Sequence, residues 1–258
     1  KSFEYLKDYL KAKKFNSMLL VLPSAISPKS PSSSSLKSDP VLQDEYGDIQ
    51  NKIESHFSMR KNTFDYPSLY SVFNMIRYVS KKKIKGDIIE LGVFQGAKIG
   101  VALMTLNLLK DFDRDIYLYD TFEGLSEPHE LDFQMINKSK PNKGTSCASL
   151  EEVKDLIYSL DVYPKEKIKF IKGDVLEALK DHQHKQISFL RLDLDLYEPL
   201  LYSMRRLYQF VENHGVIIHD DYGHWNGHLH ACNQFYKENN LNPLLLRTSR
   251  KERIEIKY

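Results

Sequence analysis

The 258-residue chain is poor in cysteine: it has only Cys147 and Cys232, and no C-x-x-C pair. That excludes a disulfide-built scaffold and a zinc knuckle, and it fits a reducing compartment. Long apolar runs are missing too, and none approaches the ~18 residues of a membrane-spanning helix. MLLVLP at 18–23 is too short, and the Lys-rich stretch before it does not read as a secretory signal. A cytoplasmic location is therefore expected. Strong charge of one sign is also lacking, since the formal net charge is +2. Residues 1–86 carry fifteen Lys/Arg against eight Asp/Glu, and the rest of the chain is mildly acidic. No basic stripe interleaved with aromatics occurs, which argues against a nucleic acid partner. Neither G-x-G-x-x-G nor H-E-x-x-H is present, so a bare pyrophosphate cradle and a helical zinc pair are not indicated.

Hydrophobic residues make up 41% of the chain, enough for one α/β domain with an extension. Phe3, Leu6, Leu10 and Phe15 mark one stripe of a helix over 2–20. SPKSPSSSSLKSDP, 27–40, reads as a linker. A polar helix is expected over 41–60. Another is expected over 67–80, with Leu69, Val72, Phe73, Ile76 and Val79 on one face. Residues 1–60 thus form a helical extension and 61–258 the main domain. The N-terminal helices are expected as dimer or lid elements, and a homo-oligomer is expected.

From Gly86 onward, strand and helix patterns alternate. The strands are DIIEL (87–91), DIYLYD (115–120), KIKFIKG (167–173), ISFLRLD (187–193) and GVIIHD (215–220). Helical periods fall at about 96–110, 149–160, 174–181, 199–212 and 227–239. Such alternation implies a parallel sheet with helices on both faces. PLLLRTS (243–249) and ERIEIKY (252–258) close the chain as an antiparallel pair. Five parallel strands finished by a hairpin define a doubly wound, mostly parallel, seven-stranded Rossmann-like sheet of the methyltransferase type.

In such sheets, ligands bind beyond the carboxyl ends of the strands. The first strand runs into ELGVFQG, 90–96. Glu90 at its tip suits a cationic or ammonium-bearing ligand, and Gly92 and Gly96 allow close backbone approach; the plainer reading is relief of crowding. Asp120, at the end of the second strand, can accept from ribose hydroxyls. Asp174, after the third, can accept from an adenine amino group or cap the following helix.

RLDLDLYEP (191–199) and VIIHDDYG (216–223) put Asp193, Asp195, Asp220 and Asp221 at the ends of two neighbouring strands. By strand alternation, Arg191, Asp193 and Asp195 share one side. Asp193 is expected to face Asp220 and Asp221. Clustered carboxylates repel unless a cation or protons compensate. Oxygen ligands without cysteine select a hard ion, Mg²⁺ first, then Mn²⁺ or Ca²⁺. The competing reading is an ordinary ion pair of Arg191 with Asp193 or Asp195, Asp195 being the expected partner. Of the nearby histidines, His224 is best placed for proton transfer; His219, His228 and His230 are expected at the surface or in packing.

ELGVFQG, YDTFEGL, CASLEEV, IKGD, LRLDLDLYE and IIHDDYGHWNG occur in an order and spacing that resembles the macrocin O-methyltransferase (TylF) family, over roughly residues 60–258. The chain departs from that pattern at Leu194, Pro199, His219 and 175–179. The resemblance implies S-adenosylmethionine and Mg²⁺ as cofactors, and a sugar or related hydroxyl of a small natural product as acceptor. It implies that Glu90, Gly92, Phe94 and Gly96 line the methionine part of the cofactor. Asp120, helped by Thr121, Phe122, Glu123 and Gly124, would take the ribose, and Gly173 with Asp174 would flank the adenine. Asp193, Asp220 and Asp221 match metal ligands, and 126–149, ending at Ser149, resembles a substrate lid. Asp193 or His224 is the expected base. Two alternatives stay open: a metal-independent transferase with His224 as sole base, and a non-catalytic nucleotide- or divalent-ion-binding module.

Overall fold

The computed structural model describes residues 46–57, 65–181 and 184–258. The helix expected over 2–20 and the linker at 27–40 lie outside the described residues. Two helices precede the sheet, α1 (Tyr46–His56) and α2 (Tyr66–Lys81). Then come β1 (Asp87–Leu91), α3 (Ala97–Leu109), β2 (Ile116–Asp120), α4 (Leu150–Ser159), β3 (Ile168–Lys172) and α5 (Val175–Asp181). The rest is β4 (Ile187–Leu192), α6 (Tyr197–Leu207), β5 (Val211–His219), α7 (Asn226–Glu238), β6 (Leu245–Arg247) and β7 (Arg253–Ile256). Among the described residues, no helix is long and apolar enough to cross a membrane.

The sheet has the order β3-β2-β1-β4-β5-β7-β6, with β7 antiparallel to both its neighbours. The strand direction and the closing hairpin are as the sequence predicts. Chain order reverses between β1 and β4, so a crevice opens at the carboxyl ends of these central strands. Strands β1 and β4 carry almost unbroken apolar runs because helices cover both their faces. Successive residues serve opposite cores: Ile88, Phe189 and Val216 face one layer, and Ile89, Leu190 and Ile217 the other. The first layer holds α1 to α4, and the second holds α5, α6 and α7.

Two differences from the sequence expectations have local causes. β5 begins at Val211 rather than 215, because Val211 pairs with Ile187 across an irregular register. β4 stops at Leu192, one residue early, and Asp195 turns into a left-handed conformation (φ 59°). Strand alternation therefore fails beyond Leu192, and Asp193 and Asp195 are loop residues.

α1 crosses α3 at Gly100, where an added Cβ would lie 2.8 Å from the Phe57 ring and 2.9 Å from the Ile53 methyl. Ile53 and Phe57 are both fully buried, so this contact seats α1 on the sheet domain. Truncation of Ile53 leaves a cavity there. Ile53→Ala is expected to lower the unfolding free energy by about 2–4 kcal/mol in urea denaturation, and a loss below about 0.5 kcal/mol, as at an ordinary surface position, would show that α1 adds no core.

Candidate active site

Where the strands end, the chain turns sharply. Phe94, Phe122 and Asp195, after β1, β2 and β4, all adopt positive φ, a costly backbone state that clusters at functional loops. Gly92 (φ +83°) packs so tightly on the next strand that a Cβ would sit 1.9 Å from the Asp193 carbonyl oxygen. Only glycine permits this approach, which brings the first loop against the carboxylates after β4.

A pocket of about 330 Å³ opens over these turns. One half is lined by Gly92, Phe94, Asp120, Thr121, Gly124, Gly173 and Asp174. The other half is lined by Asp193, Asp195, Asp220, Asp221 and His224, with Lys251 and Trp225. The pocket thus joins the predicted nucleoside-type residues to the predicted acidic cluster.

Asp120 anchors the first half. Its Oδ2 accepts from the amides of Val93 (2.7 Å) and Phe94 (2.9 Å), and its Oδ1 accepts from Phe122 N–H (2.7 Å). One carboxylate therefore holds two loops, a role the sequence did not reveal. Asp174 caps α5 through Leu176 N–H (2.9 Å) and accepts from the Ser126 hydroxyl (2.5 Å). Its capping role holds, and its second oxygen ties the 126–149 segment to the pocket floor.

Other predicted residues stand behind or beside the lining. Glu90 is buried beneath it, facing Arg191. Gly96 begins α3, and Ser149 caps α4 by accepting from Glu152 N–H. Phe122 is buried, and Glu123 faces Lys172 at 2.8 Å. Segment 126–149 has no regular helix or strand. It is stapled over the site by Met135 N–H to His224 O and Asn226 N–H to Phe133 O. Buried Asp132 accepts from the amides of His129 and Tyr197, fixing the segment to the start of α6.

Arg191 organises the acidic half. Its guanidinium, 2% exposed, donates to Glu90 Oε1 (2.5 Å), Asp193 Oδ2 (2.8 Å) and Asp220 Oδ1 (2.7 Å). The expected pair with Asp195 is therefore corrected: β4 ends before Asp195, and the guanidinium reaches one carboxylate on each of three neighbouring elements instead. Asp220 is further held by Lys98 (3.8 Å) and by the Ser68 hydroxyl (3.1 Å). Ser68 accepts from Lys98 Nζ (2.5 Å) and contacts buried Glu252 (2.5 Å).

Asp193, Asp195 and Asp221 form a separate group, with an oxygen from each within 4.8 Å of the others. The structure thus brings Asp193 and Asp221 together with Asp195, while Asp220 turns to Arg191 and Lys98. Burial, then the neighbouring carboxylates, push Asp193 and Asp221 well above the usual carboxylate range. Burial pushes Asp195 up to about 6, against a hydrogen bond with Asp221. Burial opposes ionisation of Asp220 too, but Arg191 and Lys98 hold it below its ordinary value. Burial, Lys251 and Arg250 lower His224, which keeps its imidazole neutral.

Six carboxylates converge here (Glu90, Asp193, Asp195, Asp220, Asp221, Glu252) against three cations (Arg191, Lys98, Lys251). A hard divalent ion is the natural complement of such an oxygen-only excess. Lys98, Ser68, Lys251 and Glu252 escaped sequence reasoning because they come from α2, α3 and the hairpin turn, far from the strand-end motifs. Lys251 is brought in by the turn before β7, where Gly223 N–H donates to its carbonyl (2.7 Å). Of the two places expected for His219 and His228, surface or packing, the structure shows packing: both are fully buried, His219 under α7 and His228 within it.

This sheet order with its antiparallel end, and a strand-end pocket at the reversal, define the α/β methyltransferase fold. The sequence profile of the Macrocin-O-methyltransferase (TylF) family matches residues 65–248, and the chain belongs to that family. It is 26% identical over 159 residues to demethyldecarbamoylnovobiocin O-methyltransferase of Streptomyces niveus, covering 60% of this chain and 59% of that protein. It is 23% identical over 184 residues to mycinamicin III 3''-O-methyltransferase of Micromonospora griseorubida, covering 63% and 69%. The chain thus spans less than two thirds of the length of the Streptomyces relative. The structure of the O-methyltransferase NovP superimposes with a TM-score of 0.65 at 21% identity, over 74% of this chain and 79% of that one.

Removing Arg191 would strand buried Glu90 and half-buried Asp193 and Asp220 without their shared partner. Arg191→Met is expected to cost about 3–5 kcal/mol in chemical denaturation, and a variant as stable as the parent would show that the carboxylates are simply protonated.

Proposed function

We propose that the protein transfers a methyl group from S-adenosylmethionine to a hydroxyl of a small molecule, with a sugar of a glycosylated natural product as the favoured acceptor. The observation that carries this reading is the single pocket in which Asp120, Gly92 and Asp174 adjoin the acidic group. Family membership supports the reaction. The relatives named for a novobiocin precursor and a mycinamicin support the acceptor class.

On this reading, Asp120 binds the ribose, with Thr121 and Gly124 beside it, and Gly173 and Asp174 flank the adenine. Gly92 and Phe94 line the path to the reacting methyl, and Glu90 acts through Arg191 rather than by contact. The donor sets fit a hard divalent ion, which Asp193, Asp195 and Asp221 would hold, with Asp220 alongside and oriented by Arg191. Bound there, Mg²⁺ supplies positive charge that makes an acceptor hydroxyl more acidic. His224 is neutral and lines the pocket, so it is the proton acceptor. The 126–149 segment shields the site, and its anchors at Asp132 and Met135 hold it next to His224.

Alignment of donor and acceptor provides much of the rate, and the acid–base step a further factor. His224→Ala is expected to lower kcat by about 10²–10⁴-fold while cofactor binding persists. Asp120→Asn is expected to weaken S-adenosylmethionine in calorimetry by roughly 10- to 100-fold, since a charged acceptor of several hydrogen bonds is lost. Methyl transfer to a panel of deoxysugar glycosides, assayed with chelator and with Asp193→Asn, tests the ion: loss in both is expected, and full activity in either overturns it. No calorimetric heat with S-adenosylmethionine would instead favour a module that binds other ligands.

A further inference from the structure

A second group of donors lies outside the acidic pocket. His219 closes β5, and His228 and Cys232 stand one turn apart on α7, which places them on one helix face. A ring nitrogen from each histidine and the Cys232 sulfur lie within 4.8 Å of one another, and all three residues are fully buried.

Two observations point to a ligand. Among the described residues, neither ring nitrogen of His228 has a hydrogen-bond partner, and an imidazole desolvated without partners is costly. His219 is also oriented as a ligating histidine is. Its Nε2 lies 2.9 Å from the Tyr236 hydroxyl and 3.5 Å from Glu255 Oε2, and Tyr236 donates to Glu255 at 2.6 Å. Its Nδ1 faces Cys232 Sγ at 3.4 Å. A carboxylate relay on the outer nitrogen, with the inner nitrogen turned to another potential ligand, is the usual second-shell arrangement at a metal. Two donors on one tetrahedral zinc, one sulfur and one nitrogen, stand about 3.5 Å apart.

We propose that His219, His228 and Cys232 form a buried His₂Cys site for a thiophilic d¹⁰ cation, zinc first. The nitrogen and sulfur donors separate it from the oxygen-only pocket, which selects hard ions. On binding, the ion takes the place of the Cys232 thiol proton, and one proton leaves to solvent for each ion bound. The Cys232 thiolate and the buried Glu255 carboxylate together offset the charge of the dication. The site ties the end of β5 to α7. Because Asp220 and Asp221 follow His219 directly, it would brace the carboxylates of the pocket.

The test is a Co²⁺ titration of the full chain, stripped with chelator and kept in excess Mg²⁺. One Co²⁺ per chain is expected, with a thiolate-to-cobalt charge-transfer band and intense tetrahedral absorption, both abolished by one equivalent of Zn²⁺. The band should vanish in Cys232→Ser and persist in Cys147→Ser and Asp193→Asn. In Tyr236→Phe it should persist with affinity lowered about 10- to 100-fold. Absence of the band in the parent protein overturns the site, as does a band lost in Cys147→Ser instead. Should Cys232→Ser not fold, the parent titration and Cys147→Ser decide between these outcomes.

Discussion

The buried guanidinium of Arg191 is the interaction on which the site depends. It joins Glu90 of β1, Asp193 after β4 and Asp220 after β5, which are three neighbouring strand ends. A single cation reached from three sides converts mutual repulsion into a fixed arrangement. Because the guanidinium is planar and always charged, the arrangement has direction as well as charge. The carboxylates left over, Asp195 and Asp221, share a hydrogen bond and a raised affinity for protons. That surplus lies outside the ion pairs of Arg191 and faces the pocket.

Around that centre, polar side chains do the positioning that loops of irregular backbone cannot do for themselves. Asp120 ties the turns after β1 and β2 to each other, and Asp132 ties the long 126–149 segment to α6. Ser68 and Lys98 connect α2 and α3 to Asp220, and Glu252 connects the terminal hairpin to the same point. The extra helices before the sheet and the hairpin after it are thus continuous with the site. Gly92 and Gly100 have no side chain to position, and their small size permits the close approaches that seat these parts.

Much of the architecture was legible in the residues. Buried parallel strands read as apolar runs, and strand ends as abrupt acidic or glycine residues, so the positions of the loops after the parallel strands followed from pattern. The amphipathic face of α2, with Leu69, Val72, Phe73, Ile76 and Val79, also read directly, and all five are buried. Alternation failed after Leu192, because period-2 logic holds only while the backbone stays extended and Asp195 has left-handed φ. Histidine roles were the least legible. For His219 and His228, surface and packing were both open from the sequence, and the helix α7 that buries them decides for packing.

The sequence by itself determined which residue types stand at the strand ends, and hence the fold class, the acidic character of the site and the family. Which carboxylate pairs with Arg191, which three face one another, and that Lys98, Lys251 and Glu252 join them were decided only by the tertiary structure. The reason is range: strand and helix periods are set by neighbours a few residues apart, whereas ion pairing depends on distances between side chains that the fold alone brings together, as with Ser68 and Glu252, separated by 184 residues.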